Sequence, residues 1–101
     1  MTFVEVAKTT EIEDQSAKCV EVEGKRIAVF NLAGEFYAID DTCTHQGGSL
    51  SEGLVEGEDV ECPWHGAQFN IKSGLVTADP AHKDVDKYTL RVTGDTIEVE
   101  V

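Results

Sequence analysis

Two short pairs of metal-binding side chains constrain this chain more than any other feature. The first pair is Cys43-Thr44-His45, and the second, Cys62-Pro63-Trp64-His65, follows after sixteen residues. Each pair can place a thiolate and an imidazole close together, and this donor set suits zinc or an iron–sulfur cluster rather than a hard cation. The chain is therefore expected to bring two loops that are distant in sequence to one metal centre.

Outside this region the chain consists of short β-like runs separated by turns that contain glycine. The turns are expected at Glu23-Gly24, Ala33-Gly34 and Gly94-Asp95. The predicted strands are residues 2–6, 18–22, 26–32, 35–39, 88–93 and 97–101. Regular short strands with glycine turns are typical of an all-β fold, so we predict an antiparallel sandwich or small barrel.

Two local predictions refine this plan. In the run 26–32, Ala28 and Phe30 share one face while Ile27 and Val29 share the other, so this strand is expected to be buried on both sides. A single short helix is predicted at residues 10–15, with Thr10 as its N-cap and an acidic residue three positions later.

Composition excludes several classes of function. The chain has 101 residues, 20 acidic against 8 basic side chains and a formal net charge of −12. Binding to a nucleic-acid backbone or to anionic lipid needs clustered lysine and arginine, so neither role is expected. No apolar run is long enough to span a membrane, and residues 1–5 do not read as a secretory signal. Three cysteines cannot form a fully paired disulfide framework, which favours a reducing, cytoplasmic setting.

The two motifs resemble those of the Rieske iron–sulfur proteins. Cys-Thr-His-Gln-Gly-Gly and Glu-Cys-Pro-Trp-His-Gly are similar to that family's two cluster loops, and Phe69, four residues after His65, also fits. The closest likeness is to the small Rieske-type ferredoxins of bacterial ring-hydroxylating dioxygenase systems. The resemblance implies a single domain over residues 1–101, with a cluster-binding subdomain of two loops at about 41–49 and 60–70.

The resemblance also implies a cofactor and a role. One [2Fe–2S] cluster would be held with Cys43 and Cys62 on one iron and His45 and His65 on the other. The protein would be a one-electron carrier rather than an enzyme, taking electrons from a flavoprotein ferredoxin reductase and passing them to a terminal oxygenase. A carrier of this kind needs no oligomer, so we expect a monomer.

Four positions differ from the Rieske subunits of respiratory complexes. In those subunits each cluster loop has an extra cysteine, and the two extra cysteines form a disulfide; this chain has Gly48 and Trp64 at these positions. They also place serine and tyrosine hydroxyls near the cluster, where this chain has Ala67 and Phe69. Fewer hydrogen bonds to the cluster sulfurs stabilise the reduced state less, so a potential toward the negative end of the Rieske range is expected.

Two alternatives remain open from the sequence. The small subunits of nitrite reductases share this fold, and the chain could be such a subunit. Two cysteines and two histidines could also form a closed tetrahedral zinc site. Away from the motifs, we interpret Cys19 as a structural thiol and His82 as a solvent-facing residue, and Pro80 and Ala81 as a candidate third loop over the site.

Overall fold

The computed structural model describes residues 2–42, 49–63, 67–78 and 84–100. Within them, eleven strands form three antiparallel sheets, which confirms the prediction of an all-β fold. The strands are β1 (Phe3–Lys8), β2 (Ser16–Val22), β3 (Lys25–Leu32), β4 (Glu35–Asp40), β5 (Leu54–Glu56), β6 (Asp59–Glu61), β7 (Gln68–Asn70), β8 (Val76–Ala78), β9 (Lys87–Tyr88), β10 (Leu90–Thr93) and β11 (Thr96–Glu100). No helix in the described part of the chain is long and apolar enough to cross a membrane.

The three sheets differ in how far apart in sequence their strands lie. The first sheet has the order β1-β11-β10 and joins the two ends of the described chain, with Phe3 opposite Glu100. The central sheet has the order β2-β3-β4-β9. The loop-bearing sheet has the order β5-β6-β7-β8, so each of its strands pairs with the next one along the chain.

The central sheet is covered on both faces. Ile27 and Val29 on β3 pack toward the first sheet, whereas Ala28 and Phe30 pack toward the loop-bearing sheet, and all four are fully buried. The prediction that this strand is buried on both sides is confirmed. The frame core, between the first and central sheets, consists of Ala7, Ile12, Val20, Val22, Ile27, Val29, Ala38, Ile97 and Val99. The loop-side core, on the other face, consists of Ala28, Phe30, Leu32, Ile39, Leu50, Val60, Cys62, Ala67, Phe69, Ile71 and Val85.

The predicted hairpin turns are present. At the β3–β4 turn, Ala33 and Gly34 both have positive φ, 55° and 90°, as a two-residue turn that matches the strand twist requires. A positive φ is unfavourable for alanine, and hydrogen bonds hold the turn. The Ala33 N–H donates to Asp14 Oδ1 at 2.7 Å, and the Gly34 N–H donates to Asn31 Oδ1 at 2.8 Å.

The predicted helix at residues 10–15 is wrong. The structure has only a 3₁₀ turn at Thr9–Glu11, after which Ile12 is extended, with φ −125° and ψ 111°. The side chain of Ile12 is buried in the frame core, and its carbonyl accepts a hydrogen bond from Asn31 Nδ2 at 2.9 Å. Tertiary burial of this one apolar side chain therefore outweighs the weak local helix signal.

The predicted strand 88–93 is divided between two sheets. Lys87–Tyr88 pairs with β4, whereas Leu90–Thr93 pairs with β11, and the chain passes from one sheet to the other at Thr89. Alternation along a run identifies which side chains share a face but not which strand lies alongside. For that reason the sequence predicts the run and its hairpin with β11, but not its division.

Candidate metal centre

One of the four predicted ligands lies within the described residues. Cys62 is described, whereas Cys43, His45 and His65 lie outside the described residues. Among the residues that are described, no group of three or more histidine, cysteine or acidic side chains could hold a metal ion. The architecture of the candidate site is therefore defined by the residues that flank the first segment (residues 43–48) and the second segment (residues 63–66).

The two ends of the first segment meet. Thr42 and Ser49 form an antiparallel bridge, and the Leu50 N–H donates to the Asp41 carbonyl at 2.7 Å. The chain therefore leaves this point and returns to it within the length of the first segment. The residues on either side of the predicted Cys-x-His pair are thus bonded to each other.

The second segment is closed in a similar way by the hairpin of β6 and β7. The Cys62 N–H donates to the Ala67 carbonyl at 2.6 Å, which continues the pairing of Glu61 with Gln68 by one step. Because faces alternate along a strand, Cys62 lies on the same face as Val60 and Phe69. This face is the buried one, and the side chain of Cys62 is only 1% exposed.

A glycine brings the two closures together. A Cβ atom on Gly53 would lie 2.1 Å from the Glu61 carbonyl oxygen and 3.2 Å from the Leu50 carbonyl oxygen. Only glycine allows this approach, because real Cβ atoms do not come so close to backbone atoms. The return of the first segment thus packs directly against the strand that leads to Cys62, and Leu50 and Cys62 share the loop-side core.

Asp41 is the buried charged residue at this junction, and its side chain is fully buried. Its Oδ2 accepts a hydrogen bond from Ser49 Oγ at 2.7 Å, and its Oδ1 accepts one from the Ser51 N–H at 2.8 Å. Arg26 Nη2 lies 3.4 Å from Oδ2. Burial alone would raise the pKa of Asp41, but the hydrogen bonds from Ser49 and Ser51 outweigh burial and hold the pKa below its usual value.

Cys19 lies next to this group on the central sheet. Its Sγ is 3.9 Å from Arg26 Nη2, and burial raises the pKa of its thiol above the usual value. A thiol with a raised pKa is less often the reactive thiolate. This environment supports the interpretation of Cys19 as a structural residue.

A third connection, between β8 and residue 84, begins at the edge of the loop-bearing sheet opposite β5. The Val76 N–H donates to Asp84 Oδ1 at 2.8 Å, and the Val85 N–H donates to the Gly74 carbonyl at 2.9 Å. These bonds hold both ends of the connection between β8 and residue 84. The predicted third loop at Pro80 and Ala81, together with His82, lies outside the described residues.

The hairpin of β5 and β6 carries four acidic side chains within six residues. Glu56 and Glu58 are exposed, and Asp59 and Glu61 are partly buried. Leu54, which pairs with Glu61, is 56% exposed. An exposed apolar side chain beside acidic ones therefore flanks the strand that leads to Cys62.

Sequence reasoning missed two residues that organise the site, Asp41 and Gly53. A signal for Asp41 was present, since it follows a buried strand directly and stands two residues before Cys43, a position where a carboxylate can bind backbone and hydroxyl donors. The sequence gives no signal for Gly53, because it does not stand at a turn that needs a positive φ. Its φ is an ordinary −80°, and a side chain is excluded only by the packing of another strand.

The described part of the site fits a soft metal centre. Cys62 places a sulfur donor out of water at the end of a hairpin, and the donor set predicted from the sequence adds a second thiolate and two imidazoles. Thiolates suit zinc and iron–sulfur clusters, and the low exposure of Cys62 limits its oxidation. Hard cations, which take oxygen ligands, are the poorer match.

Comparison with known proteins gives concordant matches over nearly the whole chain. The family model described as the Rieske [2Fe–2S] domain matches residues 2–89. The biphenyl dioxygenase ferredoxin subunit of a Pseudomonas species is 35% identical, with 99% of this chain and 93% of that protein covered.

Two solved structures agree with these matches. The ferredoxin of carbazole 1,9a-dioxygenase from Nocardioides aromaticivorans superposes with a TM-score of 0.93 at 30% identity and covers 98% of this chain and 97% of that one. A ferredoxin chain in a complex of reduced oxygenase and oxidised ferredoxin, also of carbazole 1,9a-dioxygenase, has a TM-score of 0.91 at 31% identity, over 96% of this chain and 91% of that chain.

Proposed function

This chain belongs to the Rieske [2Fe–2S] family, and from that membership we propose that it is the one-electron carrier of a ring-hydroxylating oxygenase system. The observation that carries the proposal is the family match over residues 2–89, together with relatives named as ferredoxins of dioxygenase systems that match over at least 93% of both chains. The chain is an electron-transfer component rather than an oxygenase.

The cluster is proposed to bind through four side chains. Cys43 and Cys62 hold one iron, and His45 and His65 hold the other. When bound, the [2Fe–2S] cluster supplies reversible one-electron chemistry at a potential raised by its histidine ligands. The burial of Cys62 and the two closures that meet at Gly53 support this assignment.

The proposed partners are a flavoprotein ferredoxin reductase and a terminal oxygenase. One solved relative is in a complex of oxygenase and ferredoxin, which supports the second partner. The net charge of −12 and the acidic side chains on the hairpin of β5 and β6 favour docking to basic surfaces. We further propose that the protein acts as a monomer in the cytoplasm, where a thiol such as Cys19 stays reduced.

The proposal is tested on the purified protein. We expect a brown protein with two irons and two sulfides per chain, a Rieske-type electron spin resonance signal on reduction, and uptake of one electron. Reduction by a flavoprotein reductase with NADH and reoxidation by a terminal oxygenase would complete the role. A colourless protein with stoichiometric zinc would instead establish the zinc module and overturn the proposal.

The salt dependence of electron transfer gives an independent readout. Screening shortens electrostatic reach to about 8 Å at physiological ionic strength, so second-order rates with a basic partner surface should fall as salt is added. A flat profile from low to high salt would remove the steering role of the acidic hairpin and leave the cluster assignment intact. The nitrite reductase alternative is less supported, because the relatives named above, at 30–35% identity, are ferredoxins of dioxygenase systems.

A further inference from the structure

Asp41, on the leaving side of the first segment, binds the chain on the returning side. Its backbone carbonyl accepts the Leu50 N–H, and its carboxylate accepts the Ser49 hydroxyl and the Ser51 N–H. Three consecutive residues on the returning side are thus bonded to one residue on the leaving side. No other acidic side chain in the described part of the chain is as fully buried.

The charge of Asp41 is only partly compensated. Arg26 Nη2 lies 3.4 Å from the carboxylate, but the Arg26 side chain is 55% exposed and shares its charge with water. The remaining partners, Ser49 and Ser51, are neutral donors. A buried carboxylate with one exposed counter-ion keeps much of its electrostatic influence on the surrounding interior.

We propose that Asp41 is a positioning residue of the metal centre, which holds the return of the first segment in place and lowers the reduction potential of the cluster. This inference rests on the proposed ligand assignment, in which Cys43 stands two residues beyond Asp41. The charge of Asp41 lowers the reduction potential independently of the absence of hydroxyl groups at Ala67 and Phe69.

The direction of the electrostatic effect follows from the charges. Reduction adds one negative charge to the centre, and a fixed negative charge nearby disfavours that addition. Replacing the carboxylate by an amide of the same shape removes the charge and favours the reduced state. The amide also keeps an oxygen for the Ser51 N–H and can donate to Ser49 Oγ.

The first experiment compares Asp41→Asn with Asp14→Asn by voltammetry. Asp14 is a matched control, because its carboxylate also accepts a backbone N–H, from Ala33, and lies beyond the opposite end of β4, roughly 20 Å away along the strand. Asp41→Asn should favour reduction about threefold to tenfold more than Asp14→Asn, which is a rise of about 28 to 59 mV for a one-electron couple. Equal potentials for the two variants would overturn the proposal.

Ionic strength distinguishes a buried charge from a surface one. The shift caused by Asp41→Asn should persist from low to high salt, because ions do not screen a charge that water cannot reach. A shift that disappears at high salt would assign the effect to the protein surface and would overturn the role of Asp41.

The positioning role has its own test, in Ser49→Ala. This variant removes the hydroxyl donor to Asp41 and leaves every charge in place. Iron should be lost to a chelator about threefold faster or more, the factor expected from one lost hydrogen bond. Ser73→Ala is the control, since that hydroxyl bonds Asn70 at the far end of the hairpin of β6 and β7. Equal rates of iron loss would overturn the positioning role.

If Asp41→Asn does not fold, Arg26→Gln decides the electrostatic part. Removing the counter-ion leaves the carboxylate less compensated, so the potential should fall relative to Arg91→Gln, which breaks an exposed ion pair with Glu98 in the first sheet. No difference between these two variants would overturn the proposal.

The wild-type protein distinguishes failure of the proposed function from failure of this inference. A wild-type protein without iron would mean that the proposed function has failed. A normal wild-type cluster, with unchanged reduction potentials in the variants, would mean that only this inference has failed.

Discussion

The frame core and the loop-side core lie on opposite faces of the same sheet, yet different interactions close them. The frame core is wholly apolar and joins strands of five to eight residues, including β1 and β11, which pair over five positions. The loop-bearing sheet has four strands of three residues each. Such short strands pair over only two or three positions each, and the chain there is also held by contacts that involve the backbone directly.

Those contacts are of two kinds. Gly53 admits the carbonyl oxygen of Glu61 where any side chain would collide with it. Two aspartates each accept a backbone N–H across a connection: Asp41 accepts that of Ser51, and Asp84 accepts that of Val76. Both sides are stabilised by burial, and the loop side in addition fixes the position of a site through steric fit and hydrogen bonds.

The largest effect should come from removing a ligand on the loop side. Cys62→Ser should abolish normal cluster assembly, because serine replaces a soft thiolate by a hard oxygen. Cys19→Ser is the matched control and should keep full iron and sulfide, since Cys19 belongs to the central sheet. Iron, sulfide and visible absorption measure both. A Cys62→Ser protein with wild-type cluster content and signal would refute the assignment.

Two isoleucines on the central sheet allow the two cores to be tested separately. Ile27 faces the frame core and Ile39 faces the loop-side core, and both are fully buried. Each substitution to alanine should lower the free energy of unfolding by about 2–5 kcal/mol. Only Ile39→Ala should also speed the loss of iron to a chelator. Denaturant unfolding and chelator kinetics check this, and equal iron loss would show that the two cores are not functionally distinct.

The steric contact at Gly53 should have a smaller but local effect. Gly53→Ala forces the backbone of two strands apart, which we expect to cost about 1–3 kcal/mol and to weaken cluster retention. Gly94→Ala is the control in the first sheet, where nothing lies within 4 Å and only the positive φ of 62° opposes a side chain. Its cost should be about 1–2 kcal/mol, with unchanged cluster content. Thermal unfolding and iron analysis distinguish the two.

The smallest effect concerns the hydroxyls that the loop side lacks. Ala67→Ser and Phe69→Tyr should raise the potential, because both side chains lie on the buried face of Cys62. A hydrogen bond to a charged group contributes roughly 1.5–3 kcal/mol, which is roughly 65–130 mV if only the reduced cluster feels it. The oxidised cluster is stabilised as well, so a few tens of millivolts per hydroxyl is the expectation, measured by voltammetry. An unchanged double variant with both new bonds visible in its crystal structure would contradict this account.

The sequence predicts the frame better than the loop side, for a physical reason. Alternation of apolar and polar residues indicates which side chains of β3 and β11 are buried, and two-residue turns such as Ala33-Gly34 carry a clear local signal. The helix prediction failed at Ile12, where burial in the frame core decided the conformation. Non-local contacts of this kind leave no periodic trace in a single sequence.

On the loop side the sequence predicts chemistry rather than geometry. The spacing of the cysteine and histidine pairs indicated a metal centre and the family, and the ligand assignment itself stays a prediction. The contact between Gly53 and Glu61 and the three bonds made by Asp41 depend on strands that meet only in the folded chain. Neither could be deduced from spacing, because each joins residues whose separation follows from the fold.

The position of β11 between β1 and β10 has a consequence for the order in which the chain assembles. During synthesis β1 emerges first, but its pairing partner follows 88 residues later, from Lys8 to Thr96. At about 5–20 residues per second, β1 waits on the order of 5–20 s for that partner. The loop-bearing sheet, in contrast, consists of successive hairpins that can pair as each one leaves the ribosome. The hairpins of the loop-bearing sheet can therefore pair before the first sheet is complete.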